Sequence, residues 1–156
     1  MKRNLVILGI GNLLMSDDGV GVHAARALAL NPPPDTEVVD AGTDVLSTLP
    51  YLEKATHALI IDAVRAGGKP GTLYNFSEDD LSHRLDTPTA HAVNLFASRH
   101  LLPPGTPWPV IRVLGVEPDV LEYGMSLSST VAATLPQVEQ RCREIVASWT
   151  NENLHP

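Results

Sequence analysis

The feature that most constrains the fold is the short run His57–Ala63, with the sequence HALIIDA, which is apolar over most of its length. A continuous apolar run of this size is typical of a β-strand that is buried on both faces, as in a parallel sheet. Leu5–Ile10, with the sequence LVILGI, is a second run of the same kind. Together the two runs predict the centre of a sheet that is covered by helices.

Segments with helical periodicity lie between the predicted strands. Val20–Leu30 has its apolar residues on one helical face and is followed by three consecutive prolines, which stop a helix. Asp44–Ala55 predicts a second helix, interrupted or kinked at Pro50, and Glu37–Asp40 predicts a short strand between the two helices. The resulting β-α-β-α-β order predicts a parallel sheet with helices on both faces.

The second half of the chain predicts two more strands and two more helices. Thr72–Phe76 is the fourth strand, and the link Val64–Gly71 before it is too short for a parallel crossover, which needs about a dozen residues or more. The fourth strand is therefore predicted to run antiparallel. The remaining elements are a helix over His91–Leu102, a strand over Trp108–Val116 and a helix over Val131–Trp149. We expect one α/β domain over residues 1–150 and a frayed tail over residues 151–156.

Composition narrows the class of function. The 156 residues carry 18 acidic against 11 basic side chains, a net charge of −7, so nucleic acid is not expected as a partner. The single cysteine, Cys142, cannot form an internal disulfide, which favours a reducing compartment, and we expect it to pack in the core. No apolar run reaches the ~18–20 residues of a membrane span. We therefore expect a cytoplasmic protein that binds neither membrane nor nucleic acid.

The loop that follows the first strand has two possible interpretations. Its opening Gly9-x-Gly11 is similar to a dinucleotide-binding fingerprint, and Asp40 stands where a ribose-binding acid would lie. However, Leu14 occupies the third glycine position, and Asp17-Asp18 would repel a pyrophosphate at the start of the next helix. A nucleotide cofactor is therefore not expected, and a cofactor absorbance or a nucleotide-induced thermal shift would reverse this expectation.

A cation suits carboxylates at this position better. Asp18 follows the first strand and Asp62 ends the third, and parallel neighbouring strands end at the same edge of a sheet. His91 opens the helix that follows the fourth strand. Two carboxylates and one imidazole predict a divalent metal site with open coordination positions. The alternative is that Ser16-Asp17-Asp18 only caps a helix N-terminus, where acidic side chains are favourable.

Several short motifs follow one another in a characteristic order and spacing. They are Gly9-x-Gly-Asn12, Asp17-Asp18-Gly19-x-Gly21, Asp40-Ala-Gly-Thr43, Asp62-Ala63, His91, and Gly115-Val-Glu-Pro118 leading to Ser126-Leu-Ser128. In this order the chain resembles, over nearly its whole length, the nickel–iron hydrogenase maturation endopeptidases. These enzymes trim a C-terminal extension from the precursor of the hydrogenase large subunit. The resemblance implies a three-layer α/β/α sandwich around a five-stranded mixed sheet whose fourth strand is antiparallel.

The resemblance also implies roles for individual residues. Asp18, Asp62 and His91 would contact the metal, which in this family is thought to be nickel already inserted in the substrate. A metal-bound water is the simplest nucleophile because a divalent cation lowers its pKa, but no catalytic nucleophile or general base is assigned. The same three ligands would also serve a non-catalytic nickel-binding assembly chaperone, and the sequence leaves that alternative open.

The resemblance also implies that a second set of residues takes part in substrate recognition. Asp40, Gly42 and Thr43 would belong to a loop that recognises the hydrogenase large-subunit precursor. A glycine just past a strand end permits a positive φ or the close approach of another backbone. We therefore expect Gly42 to lie beside the metal site, where a side chain would obstruct a docking peptide; the alternative is a plain turn glycine.

Overall fold

A five-stranded sheet lies between two layers of helices in the structure, a computed structural model of the chain. The structure describes residues 3–83 and 90–152, and only the backbone of Ser82, His83 and Ala90. The strands are β1 Leu5–Ile10, β2 Thr36–Gly42, β3 His57–Ala63, β4 Leu73–Ser77 and β5 Val110–Val116. The α-helices are α1 Val20–Ala29, α2 Leu49–Lys54, α3 Glu78–His83, α4 Ala90–Ala97, α5 Ser129–Ala132 and α6 Leu135–Asn151. Short 3-10 segments span Ser16–Gly19, Leu46–Thr48 and Ser98–Leu101.

The strand order is β2-β1-β3-β5-β4. β1 pairs in parallel with β2 and β3, and β3 pairs in parallel with β5. β4 pairs antiparallel with β5, and no helix forms in the link between β3 and β4. The predicted α/β fold with an antiparallel fourth strand is therefore confirmed, and the short link is its cause, since it cannot cross over the sheet.

Alternate residues of β1 contribute to the two cores. Leu5 and Ile7 pack in a cluster with residues of α1 and α6, whereas Val6 and Leu8 pack in a second cluster with residues of α2 and α4. All six residues of β1 are buried, as the uninterrupted apolar run predicts. Cys142 lies in the first cluster, where burial raises the pKa of its thiol to about 12. A thiol in this setting packs as a small apolar side chain.

Prolines account for the differences from the predicted helices. The single helix predicted over Val131–Trp149 is wrong, because α5 ends at Ala132 and α6 starts at Leu135. Pro136 lies in the first turn of α6, where its missing N–H costs nothing; a continuous helix would bring its ring against the carbonyl of Ala132. Pro50 likewise lies in the first turn of α2.

The C-terminal end of the chain is helical further than predicted. α6 continues to Asn151, and residues 153–156 of the predicted tail lie outside the described residues. Within residues 3–83 and 90–152 no helix combines the length and apolar character that a membrane crossing requires.

Candidate functional site

The site region lies where the carboxyl ends of β1 and β3 meet, and two glycines allow α1 to begin there. A Cβ on Gly21 would collide with the carbonyl oxygen of Ile61, and a Cβ on Gly9 would collide with the carbonyl oxygen of Gly21. The Gly-rich loop therefore serves close packing of a helix start against two strands. This packing fixes the short 3-10 segment Ser16–Gly19, which carries the two aspartates, at the edge of the sheet.

Asp18 and His91 come together across this edge. The Nε2 atom of His91 lies 3.4 Å from Oδ2 of Asp18, and the same oxygen accepts the backbone N–H of Asn12 at 2.9 Å. The contact with His91 holds the pKa of Asp18 below its usual value, although burial acts in the opposite direction. The hydrogen bond to Asp18 in turn raises the pKa of His91, against the effect of burial. The pair is therefore a coupled acid and base in a half-buried position.

Asp62 lies at the end of β3, close enough to act on the same histidine. Its side chain is fully buried, and its Oδ1 atom accepts the N–H of Ala63 at 2.8 Å. The negative charge of Asp62 further raises the pKa of His91. Among the described residues, however, no three His, Cys, Asp or Glu side chains are grouped so that they could hold a metal ion by themselves. The structure thus places His91 in contact with Asp18 and within reach of the charge of Asp62, but the three do not by themselves form a metal site.

Asp17 binds a loop that is distant in sequence, a role that the sequence analysis missed. Its Oδ2 atom accepts the N–H groups of Asp119 and Val120 and the hydroxyl of Ser128 at 2.8–2.9 Å, and its Oδ1 atom accepts the N–H of Ser128 at 2.7 Å. The 3-10 segment that it belongs to has no side-chain cap. The predicted helix-cap alternative is therefore wrong for Asp17, which instead fastens a loop distant in sequence.

The two loops joined by Asp17 also pair through their backbones. Ser16 donates its N–H to the carbonyl of Gly124 at 2.8 Å, and Gly124 donates its N–H to the carbonyl of Leu14 at 2.9 Å. The Ser16 hydroxyl donates to the carbonyl of Glu122 at 2.8 Å. The segment 119–128 is thereby fixed beside the loop that carries Asp18. No local periodicity in the sequence signals this pairing, because it joins segments about a hundred residues apart.

The predicted recognition residues lie next to this edge. Gly42 ends β2 with φ at +54°, its carbonyl accepts the N–H of Gly11 at 2.9 Å, and a Cβ on it would meet no atom within 4 Å. Thr43 is exposed, whereas the Asp40 carboxylate accepts a hydrogen bond from Nε of Arg26 at 2.8 Å. Both interpretations of Gly42 stay open. Gly42 contacts the loop after β1, as the docking interpretation requires, and its positive φ is what a turn glycine provides.

A second internal carboxylate holds the loop after Asp62. Oε2 of Glu117 accepts the N–H of Ala66 at 2.8 Å and the hydroxyl of Tyr74 at 2.9 Å, and that hydroxyl accepts the N–H of Gly68 at 3.1 Å. Burial, together with the hydrogen bond to Glu117, raises the pKa of the Tyr74 phenol. Glu117 belongs to the motif Gly115-Val-Glu-Pro118, for which the sequence analysis assigns no individual role. In the structure its role is to hold the loop after Asp62.

Comparison with known proteins identifies the family. The sequence model of the family HycI, described as hydrogenase maturation protease, matches residues 22–145. The chain belongs to the hydrogenase maturation protease family. Among curated proteins, it is similar to the hydrogenase expression/formation protein HupD of Rhodobacter capsulatus, with 31% identity over 93% of this chain and 72% of the relative.

Solved structures of family members share the fold. The hydrogenase maturating endopeptidase HybD from E. coli superposes with a TM-score of 0.82 at 25% identity, over 94% of this chain and 93% of that chain. The [NiFe] hydrogenase maturation protease HybD from Thermococcus kodakarensis gives 0.79 at 27% identity, over 92% and 99%. The resemblance inferred from the motifs is therefore confirmed, and this member of the hydrogenase maturation proteases is a peptidase, which disfavours both the dinucleotide-binding and the chaperone alternatives. The metal-contacting role of Asp18, Asp62 and His91 stays a prediction.

Proposed function

We propose that this protease removes the C-terminal extension of a hydrogenase large-subunit precursor that already contains nickel, and that it recognises the nickel through Asp18, Asp62 and His91. The observation that carries the proposal is the 3.4 Å contact between His91 and Asp18 at the sheet edge, where the charge of Asp62 also reaches His91. We place this reaction in the cytoplasm, because a chain with one buried cysteine is suited to a reducing compartment.

Electrostatics supports a cation at this position. The hydrogen bond to Asp18 and the negative charges of Asp62 and Asp18 raise the pKa of His91, against the effect of burial. Negative charge that favours the protonated imidazole also favours a divalent cation at the same position. Carboxylate oxygens and imidazole nitrogens are ordinary ligands of divalent transition metals, so the donor set fits nickel.

The proposal takes the metal to arrive with the substrate. Because no three described His, Cys, Asp or Glu side chains are grouped to hold a metal ion by themselves, it requires that the cation keep further ligands from another molecule. A nickel ion held by the precursor brings such ligands with it. The protease then acts by positioning, since fixing the nickel also fixes the chain segment attached to it.

The loop after β2 supports the recognition part of the proposal. The positive φ of Gly42 turns the backbone at the end of β2, and Thr43 is exposed beyond it. Asp40 is tied to Arg26, so its carboxylate keeps the end of β2 against α1. In this arrangement Gly42 and Thr43 meet the peptide, and Asp40 positions the loop that carries them.

The test is a cleavage assay with purified precursor in two forms, with and without nickel, in which mass spectrometry measures loss of the C-terminal extension. We expect cleavage only of the nickel-containing form, and loss of cleavage in His91→Ala but not in His100→Ala, an exposed histidine. Equal cleavage of both forms would contradict nickel recognition. Binding of the precursor without cleavage by the folded wild-type protein would contradict the protease function and support the chaperone alternative.

A further inference from the structure

Three large apolar side chains are exposed on the paired loops beside the site. Leu14 is 53% exposed, Tyr123 is 89% exposed and Met125 is 70% exposed. They are neighbours in the fold because the carbonyl of Leu14 accepts the N–H of Gly124, which stands between Tyr123 and Met125. We call these three residues the Tyr123 surface. Clustered apolar side chains on the surface of a protein mark contact sites for other molecules.

The Tyr123 surface is held in place before any partner arrives. Gly124 is paired with Leu14 and Ser16 through its N–H and carbonyl, and Asp17 fixes both ends of the segment through Asp119 and Ser128. A rigid surface loses little conformational entropy on binding, so its apolar contacts add to affinity. A tyrosine with this exposure is the side chain most suited to anchor a protein contact here.

Position and charge indicate the partner. Leu14 and Asp18 lie in one loop, where Leu14 donates its N–H to Oδ1 of Asn12 and Asn12 donates its N–H to Oδ2 of Asp18, so the Tyr123 surface adjoins the loop that would contact the nickel. The exposed carboxylates of Asp119 and Glu122 stand on the same segment as Tyr123 and favour a partner with basic residues. The same acidic groups, with a net charge of −7, disfavour a second copy of this chain.

We propose that the Tyr123 surface is the docking site for an apolar segment of the precursor, flanked by basic residues, that lies next to the nickel. The proposal rests on the proposed function for the identity of the partner. Docking here adds a contact with the precursor to those proposed for Gly42 and Thr43. The surface thus contributes substrate affinity rather than chemistry.

The experiment compares Tyr123→Ser with Leu30→Ser in cleavage of the nickel-containing precursor. Leu30 is a matched control, since it is also 89% exposed but follows the C-terminal end of α1, at the opposite edge of the sheet. We expect Tyr123→Ser to raise KM about tenfold or more, with little change in kcat and an unchanged melting temperature. Glu122→Gln should raise KM less and weaken its dependence on salt. Leu30→Ser should match the wild type.

Separate outcomes distinguish this proposal from the proposed function. If the wild type cleaves the precursor and Tyr123→Ser has the same KM, the proposed docking surface is wrong, whereas the proposed protease function still holds. Equilibrium binding of the precursor, measured by biolayer interferometry, tests the surface without cleavage: weaker binding by Tyr123→Ser than by Leu30→Ser supports it even if cleavage fails. A wild-type dimer in sedimentation velocity that Tyr123→Ser converts to a monomer would assign the surface to a second copy and overturn the proposal.

Discussion

Asp17 accepts two hydrogen bonds from Ser128, from its N–H at 2.7 Å and from its hydroxyl at 2.8 Å, although 111 residues separate the two along the chain. The next residue, Asp18, contacts His91 instead. Two adjacent carboxylates therefore have different tasks. One joins the loops on which the site and the Tyr123 surface are built, and the other faces the site itself.

Removal of the Asp17 charge should destabilise the protein. In Asp17→Asn the amide nitrogen cannot accept any of the N–H groups that the carboxylate accepts, so at least one buried donor is left without a partner. We expect the free energy of unfolding in urea to fall by about 1.5–3 kcal/mol, the range for hydrogen bonds to a charged group. Asp119→Asn, which alters an exposed carboxylate on the same segment, should change it by less than about 0.5 kcal/mol.

The contribution of Asp17 should also depend on pH. Burial raises the pKa of this carboxyl, but hydrogen bonds from Val120, Ser128 and Asp119 outweigh it and hold the pKa below its ordinary 3.8. Because the unfolded chain then takes up the proton at a higher pH than the folded chain, the stabilisation is complete above about pH 5 and is lost as the pH falls through the lowered pKa. Urea unfolding at a series of pH values should show the wild type and Asp17→Asn converging in acid. A constant difference down to about pH 2 would show that the charge of Asp17 is not responsible.

The metal-binding prediction concerns the isolated protease. Because no three described His, Cys, Asp or Glu side chains are grouped to hold a metal ion by themselves, we expect weak binding of free nickel, zinc or cadmium in calorimetry. His91→Ala and Asp62→Ala should each weaken this binding about tenfold or more, since each removes one of few ligands. His100→Ala is the control, and Asp62→Asn checks that any loss does not come from a cavity at this buried position. If both substitutions leave the affinity unchanged, the trio is assigned wrongly.

Gly42 can be tested for backbone and docking roles separately. Gly42→Ala forces an alanine into φ near +54° and should cost about 1 kcal/mol of stability, while no atom within 4 Å opposes its Cβ. Gly42→Asn adds a larger side chain but tolerates this φ better. If the glycine serves docking, Asn should reduce cleavage more than Ala while the melting temperature falls less.

Gly105→Ala supplies the control for this pair. Gly105 has φ at +83° and open space around its Cβ, and it precedes β5 at the opposite edge of the sheet. The Gly105→Ala variant should lose about as much stability as Gly42→Ala, but its folded fraction should keep the full specific activity. If cleavage by Gly42→Asn equals that of the wild type, the β2 loop has no part in substrate recognition.

Tyr74→Phe tests the hydrogen bonds through which Glu117 holds the loop after Asp62. The substitution removes the hydroxyl that links Glu117 to Gly68, and we expect a loss of about 1 kcal/mol. Hydrogen exchange at the Gly68 amide should become faster, whereas the Ala66 amide, which Glu117 binds directly, should keep its protection. Equal acceleration at both amides would mean that the whole loop depends on Tyr74.

Much of the fold was predictable because its signals are local. The apolar runs of β1 and β3 and the short link before β4 determine strand direction without reference to distant residues. Pro136 also indicates the break between α5 and α6, but apolar periodicity continues on both sides of the break and favours a single helix. Parallel strand direction also predicts that Asp18 and Asp62 lie at one edge of the sheet, but it does not place His91, because β4, the strand that precedes His91, is antiparallel.

The pairing of the site loop with segment 119–128 could not be predicted in this way. Asp17 and Ser128 form hydrogen bonds that depend on the final approach of two irregular segments, and neither segment has a periodic pattern. The sequence analysis assigns Asp18 to the metal site and gives Asp17 no role beyond a helix cap or a charge that repels a pyrophosphate. Burial separates them, since Asp17 is fully buried and Asp18 is not.

The place of β5 between β3 and β4 has a consequence for how the protein is made. β3 and β4 leave the ribosome before β5, yet among the described strands β4 pairs with β5 alone. Glu117, which holds the loop after Asp62, and Ser128, which Asp17 binds, are synthesised later still. Pairing of this kind closes long loops and completes folding late. The hydrogen bonds that Glu117 makes to the loop after Asp62 and that Asp17 makes to Ser128 can therefore form only after translation has passed these two residues.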